Sequence, residues 1–312
     1  MKDESMFEPD DDFSDLVRKA KRKSIKRSVI ISLLVTLTVL ILLWALLYIG
    51  QYFMYERMLK DTDETNDYYQ MYGANVHSNG ATFDYFFVAG RSHAYAYKEV
   101  NGHLINWDSR STFHTILGTK AVLNTSSFIG VDESSYKNDY KMVKFHLPNE
   151  EAVYDDLSYL RTLPEFYSVE IGLSFHEEIP ISEVVKAFPT ASWVWLLQDD
   201  LYEEASSFKD MNQGVSLSFK QDFSEIDGDE ALGFSIEQNA SFEESAKQYT
   251  TFLQERSDHV SDAKEVLKTL EQYDLDQIPV AGVILTGTVE EVLPYTTKEP
   301  VSVVRTGVVI PY

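Results

Sequence analysis

The chain contains no cysteine. That excludes disulfides and thiolate chemistry, so an external domain of this size must rest on its own apolar core. Secreted eukaryotic domains usually carry disulfides, and their absence fits a bacterium with a single membrane. Basic residues are few: 27 Lys and Arg stand against 50 Asp and Glu, a formal net charge of −23 over 312 residues. Such acidity argues against nucleic acid as a direct ligand and fits a solvated surface, cation association or a basic partner. Catalytic signatures are lacking as well. There is no G-x-S-x-G, no G-x-x-x-x-G-K-[ST] and no H-E-x-x-H. Ser134-x-x-Lys137 and Ser261-x-x-Lys264 have the S-x-x-K form of penicillin-binding enzymes, without the S-D-N and K-T-G companions. The histidines (His77, His93, His103, His114, His146, His176 and His259) show no i, i+4 pairing and are expected mostly at the surface or in hairpins. The acidic groups Asp199, Asp200, Glu203, Glu204 and Asp227, Asp229, Glu230 miss the calcium-loop spacing and read as solvated loops. No catalytic, cofactor-binding or metal-ligating residue is expected, and the chain does not read as an enzyme.

What is present begins with an uncharged run over residues 29–49, almost all Leu, Ile and Val. At about 1.5 Å per residue, a helix of this length matches the ~30 Å hydrocarbon core of a bilayer. The basic segment from Arg18 to Arg27 precedes it, and Tyr48, Tyr52, Phe53 and Tyr55 follow, with Trp44 inside its last turns. By the positive-inside rule and the aromatic belt, the N-terminus is expected in the cytoplasm and the C-terminal domain outside the cell membrane. A cleaved signal peptide fits less well. The run exceeds an h-region of about 7–15 residues, no small-x-small site follows, and the preceding segment is long and starts acidic. The first 28 residues hold eight basic and seven acidic residues, so the remainder carries essentially all the negative charge.

Five segments follow from composition and periodicity. Residues 1–28 form a cytoplasmic tail in which Phe13, Leu16, Val17 and Ala20 fall at i, i+3, i+4 and i+7, one face of a basic helix with Asp10 to Asp12 as candidate caps. That helix is either a juxtamembrane element whose lysines meet anionic lipid or a docking element of the helix-in-groove kind. Residues 29–49 form the transmembrane helix, and 50–73 a helical stalk without a breaker before Gly73. Residues 74–165 are β-rich, with aromatic and β-branched runs at 82–88, 93–100 and 140–147, an Asn101-Gly102 hairpin signal, and a short helix before Pro164. Residues 166–312 are α/β. A strand at 169–175, a helix opened by Pro180 and a strand at 192–197 are echoed by a strand at 280–285, a helix at 289–293 and a strand at 301–305. Helical patterns at 242–256 and 262–273 lie between the two units. The fold class is α+β, and a ferredoxin-like arrangement is one form that two strand–helix–strand units can take.

This order resembles the Firmicute membrane-anchored anti-sigma factors that carry a sigma factor regulator N-terminal domain followed by a C-terminal one. Several segments carry the resemblance. They are Phe13 to Lys23 before the membrane, the hairpin Tyr97 to Trp107, Val169 to Phe175 with Glu183-Val184 and Trp193-Val194-Trp195, and Gly282 to Thr288 with Glu290-Glu291. One departure is Lys144-Phe145-His146-Leu147-Pro148, where the family pattern has an Arg- or Met-bearing segment ending in aromatic–His–Pro. The resemblance implies sequestration of an extracytoplasmic-function sigma factor and an external sensor of envelope stress. Phe13, Leu16, Val17 and Ala20 would be apolar contacts, with Arg18 and Lys19 in the electrostatic flank. A helix of about 15 residues buries little area, so a second membrane protein or more of the sigma factor would have to add affinity. The competing class is an anchored extracellular envelope enzyme or a wall-binding or sensor module, with the tail only a topogenic signal.

Overall fold

In a computed structural model, the described residues are 11–311 except 125–127, 132, 133, 151, 153, 198–223, 238–240 and 259. A single α-helix, α1 (Asp11–Met71), runs unbroken through the tail, the apolar run and the segment beyond it. No proline interrupts it, and the only glycine inside it is Gly50. The side chains of 29–43 all face outward, as a bilayer-crossing surface would. A helix long and apolar enough to span is compatible with a single-pass anchor. At Gly73 the backbone turns left-handed, with φ 98°, and the helix stops.

Beyond residue 50 the helix is not a bare stalk. It lies on an antiparallel meander of four strands, β1 (Val76–Tyr85), β2 (Ala89–Val100), β3 (His103–Thr115) and β4 (Lys120–Asn124), in that spatial order. Met54, Met58 and Thr62 are buried on the sheet-facing side. Gly90 permits the close approach, since a Cβ there would lie 2.6 Å from Met58 Sδ. The β2–β3 turn is the Asn-Gly hairpin, with φ 51° at Asn101 and 78° at Gly102, the two left-handed residues of a type I′ turn. Smaller strands follow: β5 (Phe128–Val131), β6 (Ser134–Lys137), β7 (Tyr140–Lys141) and β8 (Lys144–His146), then the one-turn helix α2 (Leu157–Leu160).

The second sheet is built from β9 (Ser168–Pro180), helix α3 (Ile181–Ala187), β10 (Ala191–Trp195), β12 (Gly233–Ser235), β13 (Pro279–Thr288) and β14 (Val301–Ile310). β11 (Glu225–Asp227) pairs with β8 instead. Helices α4 (Phe242–Arg256) and α5 (Ser261–Leu270) precede β13, and a short helix α6 (Val289–Val292) precedes β14. The strand order is β12-β10-β13-β9-β14, with every neighbouring pair antiparallel. Each strand–helix–strand unit therefore straddles a strand of the other, the split arrangement of ferredoxin-like folds with β12 added at one edge. Pro180 sits one place outside its expected position: it closes β9 as the N-cap residue, and the helix begins at Ile181.

This sheet is buried on both faces. Val169, Ile171, Leu173 and Phe175 of β9 meet the helical layer, which contributes Ala246, Tyr249 and Leu253 of α4. The other face carries Trp193, Trp195 and Ile284 against Phe145, whose ring stacks on Trp195 at 4.9 Å between centroids. With both faces covered, β9 reads as one buried run rather than a half-wet alternation. A third cluster, with Val76, Val100, Ile105, Trp107 and Val308, joins the two sheets.

Candidate functional site

Two places carry the functional argument: the exposed N-terminal part of α1, and the joint where its other end meets both sheets. In the first, Phe13, Leu16, Val17 and Ala20 lie on one helical face, all exposed; Leu16 retains 65 % of its surface. Arg18 and Lys19 are exposed beside them and open the basic segment that leads into the apolar run. Apolar side chains in solvent at helical spacing form a stripe that a partner's groove can cover. Asp10, the first candidate cap, lies outside the described residues.

At the joint, β2 of the first sheet meets β9 of the second through a buried ion pair. Lys98 Nζ lies 3.0 Å from both carboxylate oxygens of Glu170, and the two side chains are 1 % and 0 % exposed. Glu170 also accepts from Asn75 Nδ2 at 3.2 Å and from the Val308 backbone N–H at 3.4 Å. The Lys98 ammonium sits 4.2 Å from the Trp107 ring centroid, so its remaining side is met by an aromatic face. The pair is thus met by further donors on the carboxylate and an aromatic face on the ammonium, as a charge needs when it leaves water.

A second network gathers around Lys137, which bonds Asp108 at 2.9 Å and Asp229 at 2.7 Å. Trp107 Nε1 donates to Asp229 at 2.7 Å, and the Tyr69 hydroxyl donates to Asp108. Burial, joined by the Asp108 charge, pushes the Tyr69 phenol well above its usual range. Burial and Asp229 push Tyr68 up to about 12. Burial works to lower the Lys137 ammonium, but its two carboxylates prevail and raise it. Lys137 of the S-x-x-K form is thus engaged in an ion-pair network with Asp108 and Asp229. The expectation of a solvated loop at Asp227, Asp229 and Glu230 fits the exposed turn residue Glu230, while Asp229 is engaged by Lys137 and Trp107 and Asp227 by Lys144. Asp199, Asp200, Glu203 and Glu204 lie outside the described residues.

The end of α1 is tied to the second sheet and its helices. Asp67 accepts from Arg256 of α4 at 2.9 Å, Tyr72 donates to Asp262 of α5 at 3.1 Å, and Tyr68 donates to the Asp229 carbonyl at 3.0 Å. Tyr72 also forms a bridge with Leu232. The histidines depart from the surface expectation at two positions. His114 is buried beside Asp61, and His146 is buried with Nε2 2.8 Å from Ser224 Oγ and Nδ1 3.0 Å from the Leu147 carbonyl. In the divergent segment, Lys144 pairs with Glu225 and Asp227 across the β8–β11 ribbon.

Sequence reasoning did not single out Lys98 and Glu170 as a pair. The available signal was a glutamate between Val169 and Ile171 in the mostly apolar first half of a strand. An ionised residue at such a position requires a partner.

No curated protein and no solved structure matches the chain. Residues 160–308, from the end of α2 to β14, match the family model described as sigma factor regulator C-terminal. This segment contains Asp229, Leu232, Arg256 and Asp262, which hold the end of α1, and Glu170 of the buried joint; its match supports a sigma factor regulator role that implies interaction with a sigma factor.

Proposed function

We propose that the chain is a membrane-anchored, non-catalytic anti-sigma factor with its N-terminus in the cytoplasm and its sheets outside. The face made by Phe13, Leu16, Val17 and Ala20 holds an extracytoplasmic-function sigma factor, with Arg18 and Lys19 on its flank. The outer domain couples release to the state of the envelope. The family match over 160–308 carries this reading. The exposed stripe at one end of α1 supports it, as does the attachment of the other end to the matched segment.

The energetics bound the complex. Burying Leu16 and Val17 in a groove contributes about 1.5–3 kcal/mol each, so losing both weakens binding by roughly two to four orders of magnitude. The sigma factor should co-purify with the full-length protein in mild detergent. Leu16→Asp combined with Val17→Asp should abolish the association while leaving yield and helicity unchanged. Undiminished binding in the double variant refutes the assignment of this face.

A further inference from the structure

The first sheet ends in two hairpin tips on the side where α1 leaves its apolar run. One is Tyr85-Phe86-Phe87-Val88, between β1 and β2, and the other carries Ile116 and Leu117, between β3 and β4. Phe86, Phe87, Val88 and Leu117 face solvent, with Phe87 71 % exposed and Leu117 90 % exposed, while Ile116 is half-buried against the helix. Both tips are fixed to the helix and to each other. Gln51 Nε2 donates to the Phe87 carbonyl at 3.1 Å, and a Cβ on Gly50 would lie 3.0 Å from Ile116 Cβ. The Ile116 N–H donates to the Val88 carbonyl at 3.1 Å, and Arg57 Nη2 donates to the Thr115 carbonyl at 2.9 Å. The contacts to residues 50 and 51 come one and two residues after the apolar run ends at Ile49. At about 1.5 Å rise per residue, the tips therefore stand within ~3 Å of the level where the hydrocarbon ends.

We propose that these tips are a second membrane contact, seated in the headgroup and upper acyl region of the outer leaflet that α1 crosses. This rests on the reading of residues 29–49 as a membrane span. Phe86, Phe87, Val88 and Leu117 continue the apolar surface of residues 29–49 sideways, at the depth occupied by Tyr48, Tyr52 and Phe53 of the helix. Aromatic and aliphatic side chains at that level bury about 5–10 Å into the interface, where their transfer is favourable. An isolated exposed leucine needs no explanation, but a cluster held by backbone hydrogen bonds at the exit of a spanning helix does. The lipid contact fixes the tilt of the sheet against the bilayer at a second point, away from the helix axis.

The lack of native cysteine makes the test direct. Single variants Phe87→Cys, Leu117→Cys, Leu104→Cys and Leu40→Cys carry a nitroxide on the full-length chain, reconstituted into phosphatidylglycerol–phosphatidylethanolamine vesicles. Leu104 is the solvent control, exposed at the opposite end of the sheet, and Leu40 is the control inside the span. Labels at 87 and 117 should collide severalfold less often with a water-soluble nickel chelate, and more often with oxygen, than the label at 104. Nickel access at 87 and 117 equal to that at 104, with 40 protected, overturns the lipid contact and leaves the span intact. Nickel access at 40 overturns the span and the inference with it. Protection of 87 and 117 in native membranes but not in pure lipid also overturns the inference, in favour of a protein partner.

Discussion

The Lys98–Glu170 pair offers a quantitative test of what joins the two sheets. Lys98→Met keeps the length of the side chain and removes the ammonium, leaving the Glu170 carboxylate buried with only Asn75 and the Val308 N–H as donors. Breaking a buried pair from one side costs about 3–5 kcal/mol, because a charge is left without its counter-charge. For a folded region of roughly 240 residues beyond α1, 1 kcal/mol moves the midpoint by about 2–4 °C, so a fall of roughly 6–20 °C is expected. Glu170→Gln added to Lys98→Met removes the second charge and keeps the amide oxygen for Asn75 and Val308. The double variant should therefore recover most of the loss, with a coupling energy of about 2 kcal/mol or more. Thermal unfolding of the solubilised full-length protein, followed by near-ultraviolet circular dichroism, reads all three variants against the parent. The Trp107 signal reports the joint, since its ring lies under the Lys98 ammonium. If Lys98→Met costs under about 1 kcal/mol, or if the two substitutions simply add, the pair does not act as a buried pair and the reasoning fails.

Deleting the gene in a host that carries it should switch on a compact set of transcripts sharing one promoter type without stress. A quiet transcriptome with an envelope defect would favour an anchored outer module instead. Burial holds the His77 imidazole below its usual value, outweighing the pull of Glu99, and burial holds His114 down in the same way against Asp61. The unfolded chain then takes up the proton first as pH falls, so this stability is present above about pH 6.5 and is lost below it. The raised carboxyls of Asp67 and Glu230 act with the opposite sign nearer the carboxylate range. The readout is therefore the difference between parent and His77→Gln: the variant should lose less midpoint between about pH 7.5 and 5.5, and an unchanged loss counts against the burial argument. Gly90→Val drives two methyl groups toward Met58 and Met54, and should cost about 1–3 kcal/mol by overpacking, measured by urea unfolding.

The parts that were legible in the sequence share a cause: short-range chemistry decides them. The Asn101-Gly102 turn needed only two residues that tolerate left-handed backbone. Helix α4 needed only Ser241 as a cap, accepting from the Glu244 N–H, and apolar residues at helical spacing. The alternation of strands and helices after residue 166 named the elements, and the split order was among the arrangements it allowed. The stripe of Phe13, Leu16, Val17 and Ala20 was legible for the same reason, since helical spacing alone puts the four on one face. What stayed hidden depends on contacts far apart in the chain. Lys98 and Glu170 are 72 residues apart, and Lys137 and Asp229 are 92 apart. Periodicity has nothing to say about such pairs. The length of β9 was also understated, because Glu177 and Glu178 break the apolar pattern where the strand is no longer buried. The packing of 54–71 on a sheet was missed because Met54 and Met58 are spaced as well for a free amphipathic helix as for one lying on strands.

The form of α1 limits how the two sheets can influence the stripe at its other end. Sixty-one helical residues at about 1.5 Å each make a rod of roughly 90 Å with no proline. Its one internal glycine is not a loose hinge, because Gly50 is braced by Ile116. Above the apolar run the rod is held at two levels. Gln51 and Arg57 hold it near the tips, while Asp67 and Tyr72 hold it to the helices of the second sheet. A rod fixed at two levels follows the body that holds it, so tilting or shifting the sheets moves residues 13–20 without any linker that could absorb the motion. Differential free energy must still come from somewhere, since a ligand or a force that treats two orientations alike shifts nothing. The buried joint at Lys98 and Glu170 resists bending between the sheets and spreads a load over both. A signal acting on the proposed regulator therefore has two routes that use this architecture: reorienting the whole outer body against the bilayer, or cutting the rod.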